Sequence, residues 1–311
     1  MSKRIALLFS GQGAQTVGMG RDLAEKYPAA ADLFTRADTL LERPLSRIAF
    51  TGPEDELTQT KNCQPALFVH GLACLAALRQ EIGDFPIAAA AGLSLGEFTA
   101  HAAAGTFDFD TGLKLVAQRG LFMQEACEQT QGAMAAMIGG DEDTVRALAS
   151  ETDVDVANLN SPGQIVISGE AANITLAVSL AKERGIRLAK ILNVAGAYHS
   201  RLMNSAFVRL GKELAGLELR TPRFPVICNT DAAPVSDPGE IRESLEDQVT
   251  GTVRWSESLE YLVDQEKCSL FIELGPGGVL AGLLQRTRKG TPCVSISDCA
   301  SLEAALPQLR G

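Results

Sequence analysis

Short apolar runs alternate with longer helix-like segments along this chain. Ile5–Ser10, Ile87–Ala91, Phe224–Asn229, Leu270–Leu274 and Cys293–Ser297 are brief, apolar and closed by turn residues, as strands buried on both faces are. Pro65–Leu78, Leu113–Cys127 and Val279–Arg286 are longer and read as helices. Apolar strands bounded by helices predict a mostly parallel sheet with both faces covered.

The middle of the chain keeps a different rhythm. Ala133–Ile138 reads as a strand, Asp141–Ala149 as a helix, and Val154–Leu159 and Gln164–Ser168 as two strands joined through Ser161-Pro162-Gly163. Ala172–Arg184 reads as a helix stopped by Gly185, and Leu188–Val194 as a further strand. This β-α-β-β-α-β order is the ferredoxin-like pattern. The expected architecture is therefore α/β: a large domain formed by 1–129 and 197–311, with a small ferredoxin-like domain inserted at 130–196. Such an insertion leaves a cleft between the two, a common place for a ligand.

Composition narrows the classes. The 311 residues give room for one large domain or two smaller ones, and 46% apolar with 21% charged residues excludes a wholly disordered chain. The net charge of −10 repels phosphate backbones and no basic stripe offsets it, so no nucleic-acid partner is expected. The seven cysteines are odd in number and form no C-x-x-C pair, which fits reduced thiols and a cytoplasmic location. Zinc-ligand spacing is absent, so no metal is expected. The Lys3-Arg4 start with its short apolar run reads as the first strand rather than a leader. No apolar run approaches the roughly 20 residues a membrane crossing needs.

Candidate chemistry begins at Gly92-Leu93-Ser94-Leu95-Gly96-Glu97, which follows the Ile87–Ala91 run and opens a helix-like segment. A serine between two glycines on a strand-to-helix turn presents its oxygen at the end of a sheet. The turn leaves the backbone N–H of Leu95 at a helix N-terminus, where it can bind a developing oxyanion. The same pattern also arises by chance in a Gly- and Ala-rich chain. A serine hydroxyl needs a base, usually histidine, and the chain has three. His101 lies seven residues beyond Ser94 on the same segment, about 10 Å further along a helix axis, and His70 sits within an apolar helix. His199 remains, where the chain leaves the small domain, although a lone loop histidine is often only a surface residue.

Two further signals stand open. Gly11-Gln12-Gly13-Ala14-Gln15 follows the first strand, but Thr16 stands where a dinucleotide fingerprint wants glycine. The loop is either a simple turn or one whose amides, with Gln12 foremost, complete an oxyanion hole. Arg119-Gly120 interrupts an otherwise apolar helix, where glycine costs about 1 kcal/mol relative to alanine. Arg119 is either solvated or turned into the cleft to hold a carboxylate in bidentate fashion.

Together these segments resemble the malonyl-CoA:acyl carrier protein transacylases, a group that includes the acyltransferase domains of fatty acid and polyketide synthases. The resemblance spans nearly the whole chain and adds Asn160-Ser161-Pro162-Gly163-Gln164, Ala197-Tyr198-His199-Ser200, Gln248 with Val253-Arg254-Trp255, and Gly275-Pro276-Gly277. It implies an α/β-hydrolase-like fold with a ferredoxin-like insert. It implies Ser94 as acylated nucleophile, His199 as general base, Gln12 and Leu95 as backbone oxyanion donors, and Arg119 as holder of the malonyl carboxylate. Gln248 would orient the histidine through its backbone carbonyl, in place of the usual acid, while Asn160 has no assigned role. The implied reaction carries malonyl from malonyl-CoA to the phosphopantetheine thiol of acyl carrier protein, with coenzyme A entering as substrate thioester and no cofactor. Leu93 stands where histidine often precedes the serine, Tyr198 where phenylalanine is frequent, and Arg201 where proline is common. The alternatives from the residues alone are a serine thioesterase or esterase on the same fold and a non-catalytic docking subunit.

Overall fold

The computed structural model describes residues 3–310, so the expected domain's outermost residues, 1–2 and 311, lie outside it. Ten strands are described: β1 (Ile5–Phe9), β2 (Ile87–Gly92), β3 (Gly132–Ile138), β4 (Asp155–Ser161), β5 (Gln164–Glu170), β6 (Leu188–Ile191), β7 (Val226–Ile227), β8 (Pro234–Val235), β9 (Leu270–Leu274) and β10 (Cys293–Ile296). They form a six-stranded sheet in the order β10-β9-β1-β2-β7-β8 and a four-stranded sheet in the order β4-β5-β3-β6. The large sheet is parallel except for β8, which runs against β7. The small one is antiparallel throughout.

Strand β1 lies near the centre of the large sheet and every residue of it is buried. Period-two alternation sends Ile5, Leu7 and Phe9 into one core and Ala6 and Leu8 into the other. The first core is closed by the helices Thr60–Ile82, Leu95–Ala104 and Phe109–Gln129, and the second by Trp255–Asp264 and Val279–Thr287. Each fully buried leucine or phenylalanine contributes about 1.5–3 kcal/mol, so a continuous apolar strand is favoured only when both faces are covered. The fold is α/β-hydrolase-like, with an inserted ferredoxin-like unit whose helices Glu142–Glu151 and Ala171–Leu180 cover one face of the small sheet. Its other face turns Met134 and Val166 toward the large core. A β-bridge between Asn158 and Val253 ties β4 to the larger unit, through Leu159 N–H on the Val253 carbonyl at 2.9 Å and Val253 N–H on the Ala157 carbonyl at 2.8 Å.

Several elements depart from their expected bounds. The helix expected from Pro65 begins at Thr60 and carries Pro65 inside it. Proline cannot donate to the Lys61 carbonyl one turn back, and the guanidinium of Arg43 donates there instead at 2.6 Å. The strand expected over 224–229 shrinks to Val226–Ile227, because Pro225 has no N–H to pair and a turn at Cys228 folds the chain back into β8. Residues 21–58, to which no element was assigned from sequence, form four helices packed on Thr60–Ile82 through Phe34, Ile48 and Leu57.

Candidate active site

A cavity of about 460 Å³ lies between the small sheet and the large unit, with Ser94 and His199 in its wall. A roomier groove of about 610 Å³ beside Arg146 and Arg201 contains no such pair.

Ser94 joins β2 to the helix Leu95–Ala104 with φ 53° and ψ −104°, a strained conformation for a residue bearing a Cβ. The flanking glycines are dictated by contact. A Cβ on Gly92 would stand 1.9 Å from the Gly96 carbonyl carbon, and one on Gly96 would stand 2.1 Å from the Phe9 carbonyl oxygen. Asn229 clamps the turn from outside. It accepts the Ser94 N–H at 2.7 Å and donates to the Gly92 carbonyl at 2.8 Å.

His199 also has positive φ, 54°, and is buried. Its Nε2 lies 2.8 Å from Ser94 Oγ and its Nδ1 2.7 Å from the Gln248 carbonyl oxygen. A carbonyl only accepts, so Nδ1 carries the hydrogen and the Nε2 lone pair faces the serine hydroxyl. Burial, and next the charge of Arg119, push the His199 imidazole down to about 4, so it is neutral at pH 7.

Arg119 is fully buried on the helix Phe109–Gln129, and its guanidinium meets three oxygens. Nη1 donates to Gln64 Oε1 at 2.7 Å, while Nη2 donates to Gln248 Oε1 at 2.7 Å and to Ser94 Oγ at 3.0 Å. Its Nε has no acceptor among the described residues. All three partners are neutral. Burial lowers the Arg119 guanidinium to about 10, which leaves it charged at pH 7.

The backbone N–H groups of Gln12 and Leu95 have no acceptor among the described residues. They belong to the two loops that meet at the serine turn, where a Cβ on Gly11 would stand 2.3 Å from the Leu93 carbonyl oxygen. The Gln12 side chain reaches Tyr198 Oη at 3.3 Å and Thr60 Oγ1 at 3.4 Å, and those two hydroxyls lie 2.6 Å apart. Leu93 and Asn160 line the cavity, and Asn160 Oδ1 has no partner among the described residues. Arg201 points away, paired with Asp153 and Asp155. Of the other histidines, His101 shares a hydrogen bond with Thr106 Oγ1 at 3.0 Å and His70 with the Ser297 carbonyl at 2.9 Å; both are buried outside the cavity.

Ser94, His199, Arg119 and Gln248 thus converge. Sequence reasoning missed Gln64, Glu97 and Asn229, which hold them. Glu97 lay inside the quoted serine motif and Gln64 directly before Pro65, but nothing local marks either as buried.

The acyl transferase domain family matches residues 6–308. The chain is 41% identical over 317 residues to a malonyl CoA-acyl carrier protein transacylase of Bacillus subtilis (strain 168), covering 100% of this chain and 98% of that one. Among solved structures, an acyl carrier protein S-malonyltransferase from Vibrio cholerae superposes with TM-score 0.93 at 38% identity, over 97% of this chain and 99% of its own. A malonyl-transacylase in complex with its type II polyketide-synthase acyl-carrier protein superposes with TM-score 0.94 at 36% identity, over 98% and 99%. With that match over nearly its whole length, and a serine–histidine pair in its cleft, this chain belongs to the acyl transferase domain family.

Proposed function

We infer that this enzyme carries a malonyl group from malonyl-CoA to the phosphopantetheine thiol of acyl carrier protein, through an ester on Ser94. The observation that carries the reading is a buried guanidinium with no carboxylate partner, 3.0 Å from a serine oxygen that is itself 2.8 Å from a neutral imidazole. Malonyl carries a carboxylate two bonds from its thioester carbonyl, so an acyl group held by Arg119 is brought to Ser94.

In the first step Ser94 Oγ attacks the thioester carbon while His199 Nε2 takes the hydroxyl proton. The oxyanion forms toward the N–H groups of Gln12 and Leu95. Collapse breaks the carbon–sulfur bond, and coenzyme A leaves as the thiol with the proton from His199. In the second step the carrier's thiol gives its proton to His199 and attacks the malonyl ester. Ser94 then leaves and recovers its proton. Gln248 holds Nδ1–H so that Nε2 keeps its lone pair in both steps. Acyl transfer written this way needs no resident cofactor.

The carrier meets a cleft beside the insert, taken as residues 130–196. Arg288 is neutralised by Glu260 and Asp264, and Arg184 by Glu151, whereas Lys182, Arg187 and Lys190 make no ion pair among the described residues. Arg286 and Lys289 beside Arg288 likewise make no ion pair among the described residues, so the insert offers three free cations and the end of the helix Val279–Thr287 two as candidates for an acidic carrier. We assign a cytoplasmic location on the seven unpaired cysteines, which suit a reducing compartment. Among the described residues no helix is long and apolar enough to cross a membrane.

Intact-protein mass spectrometry after exposure to malonyl-CoA tests the reading. A stable adduct of malonyl mass, absent in Ser94→Ala and discharged by holo carrier protein, is expected. Rapid release of free malonate without an acceptor would identify a hydrolase instead.

A further inference from the structure

Among the described residues Glu97 is the one fully buried carboxylate beside the reacting groups, and the transfer mechanism gives it no task. It sits in the first turn of the helix that follows Ser94. Its contacts are all donors: Oε2 accepts from the Asn229 N–H at 3.0 Å and from Gln248 Nε2 at 2.9 Å, and Oε1 accepts from the Ser244 hydroxyl at 3.3 Å.

Gln248 is the hub of the site. Its carbonyl faces His199, its Oε1 accepts from Arg119, and its Nε2 donates to Glu97 and to the Ser94 carbonyl at 3.2 Å. Only one orientation of that amide is compatible with these neighbours. Turned over, its NH2 would face a guanidinium that can only donate, and its oxygen would face a backbone carbonyl that can only accept. A buried mismatch of that kind costs about 1–3 kcal/mol per group.

We propose that Glu97 is a positioning residue for acyl selection: by holding the Gln248 amide nitrogen it turns the amide oxygen onto Arg119, fixing the guanidinium that receives the substrate carboxylate. This inference rests on the transfer reaction inferred above. The amide also keeps the carboxylate at one remove. Had Glu97 paired directly with Arg119, the fork would be neutralised before substrate arrived. Burial raises the Glu97 carboxyl, opposed by the Asn229, Ser244 and Gln248 hydrogen bonds and then by the charge of Arg119. The relay works in either protonation state, because a proton on Oε1 has the Ser244 oxygen as acceptor while Oε2 still faces Gln248.

The test compares malonyl and acetyl transfer to holo carrier protein in wild type, Glu97→Met, Gln248→Ala and the double variant. A methionine at 97 fills a similar space but offers no oxygen to the Gln248 amide nitrogen, whereas a glutamine could keep its oxygen there with its NH2 toward Ser244. The expected result is a fall of about ten- to a hundred-fold in the ratio of malonyl to acetyl kcat/KM for each single variant, as for a lost hydrogen bond to a charged group. The double variant should be no worse than the poorer single one, because both cut the same relay. Equal losses for both acyl groups, unchanged selectivity, or strictly additive effects would overturn the relay. If Glu97→Met does not fold, Gln248→Ala decides alone: it keeps the backbone carbonyl for His199 and removes only the amide, so unchanged selectivity overturns the proposal. A wild-type enzyme that forms no malonyl adduct would instead defeat the parent reading.

Discussion

Replacing Arg119 by alanine separates carboxylate recognition from acyl transfer. The guanidinium is wholly buried and its hydrogen-bond partners are neutral, so the malonyl carboxylate would be its only anionic one. Removing one partner of a buried, hydrogen-bonded ion pair costs about 3–5 kcal/mol. At about 1.4 kcal/mol per decade, malonyl kcat/KM should fall about 10²- to 10⁴-fold. Acetyl has no carboxylate and escapes that loss. Leaving Gln64 Oε1 and Gln248 Oε1 without their donor, about 1 kcal/mol each where water cannot replace it, burdens the free enzyme equally and shows as lost stability, not as lost kcat/KM. The ratio of malonyl to acetyl transfer should therefore drop by most of the same roughly 10²- to 10⁴-fold. The assay is steady-state transfer from each thioester to holo carrier protein, with circular dichroism to confirm the fold. Equal losses for the two acyl groups would refute the assignment of Arg119 as the carboxylate ligand.

Three further outcomes follow from the same geometry. His199 is held down to about 4, so its base form persists in acid: kcat/KM should stay level from pH 7 to about 5.5 and fall with unit slope only near pH 4, whereas an acid limb centred near 6.5 would contradict the burial. Arg119→Ala should move that limb upward, because removing a neighbouring positive charge makes the imidazolium less costly. Gly120→Ala would set a Cβ 2.7 Å from the Thr60 carbonyl oxygen; the overpacking, about 1–3 kcal/mol, should outweigh the roughly 1 kcal/mol gain in helix propensity and lower Tm, and an unchanged or higher Tm would count against close packing there.

Much of the fold was legible because its signals are local. A run such as Leu7-Leu8-Phe9 has no polar face, and two short strand-like runs joined through the Ser161-Pro162-Gly163 turn mark paired antiparallel strands. The helices over 21–58 were not assigned from sequence. Arg21–Lys26, Leu45–Thr51 and Glu54–Thr58 have seven residues or fewer, too short to establish a period, and gain their stability from packing; Pro28–Leu41 does space Ala30, Phe34 and Ala37 along one face, a local signal that sequence reasoning missed. Ser94 and His199 stood out because the serine turn has a strained local signature and histidines are few. Their supporting amides did not. Gln64, Asn229 and the side chain of Gln248 meet their partners across 55, 135 and 129 positions of chain, and an amide that is buried for such a partner looks in sequence like one in solvent.

Arg119 shows how a distant contact can still leave a local trace. An arginine in an apolar helix and a glycine beside it read as two separate anomalies, yet they have one cause. Without a side chain, Gly120 lets the helix Phe109–Gln129 come against the first turn of Thr60–Ile82, at the Thr60 carbonyl. One turn along that second helix stands Gln64, and this approach puts its Oε1 at 2.7 Å from Arg119 Nη1. A larger residue at 120 would hold the helices apart and withdraw the Gln64 contact, leaving the guanidinium held at Nη2 by Gln248 and Ser94 and over the Phe98 ring. A fork held at one nitrogen instead of two loses part of the preorganisation that turns carboxylate binding into selectivity. The mid-helix glycine is thus part of the acyl-recognition apparatus although it touches neither substrate nor nucleophile.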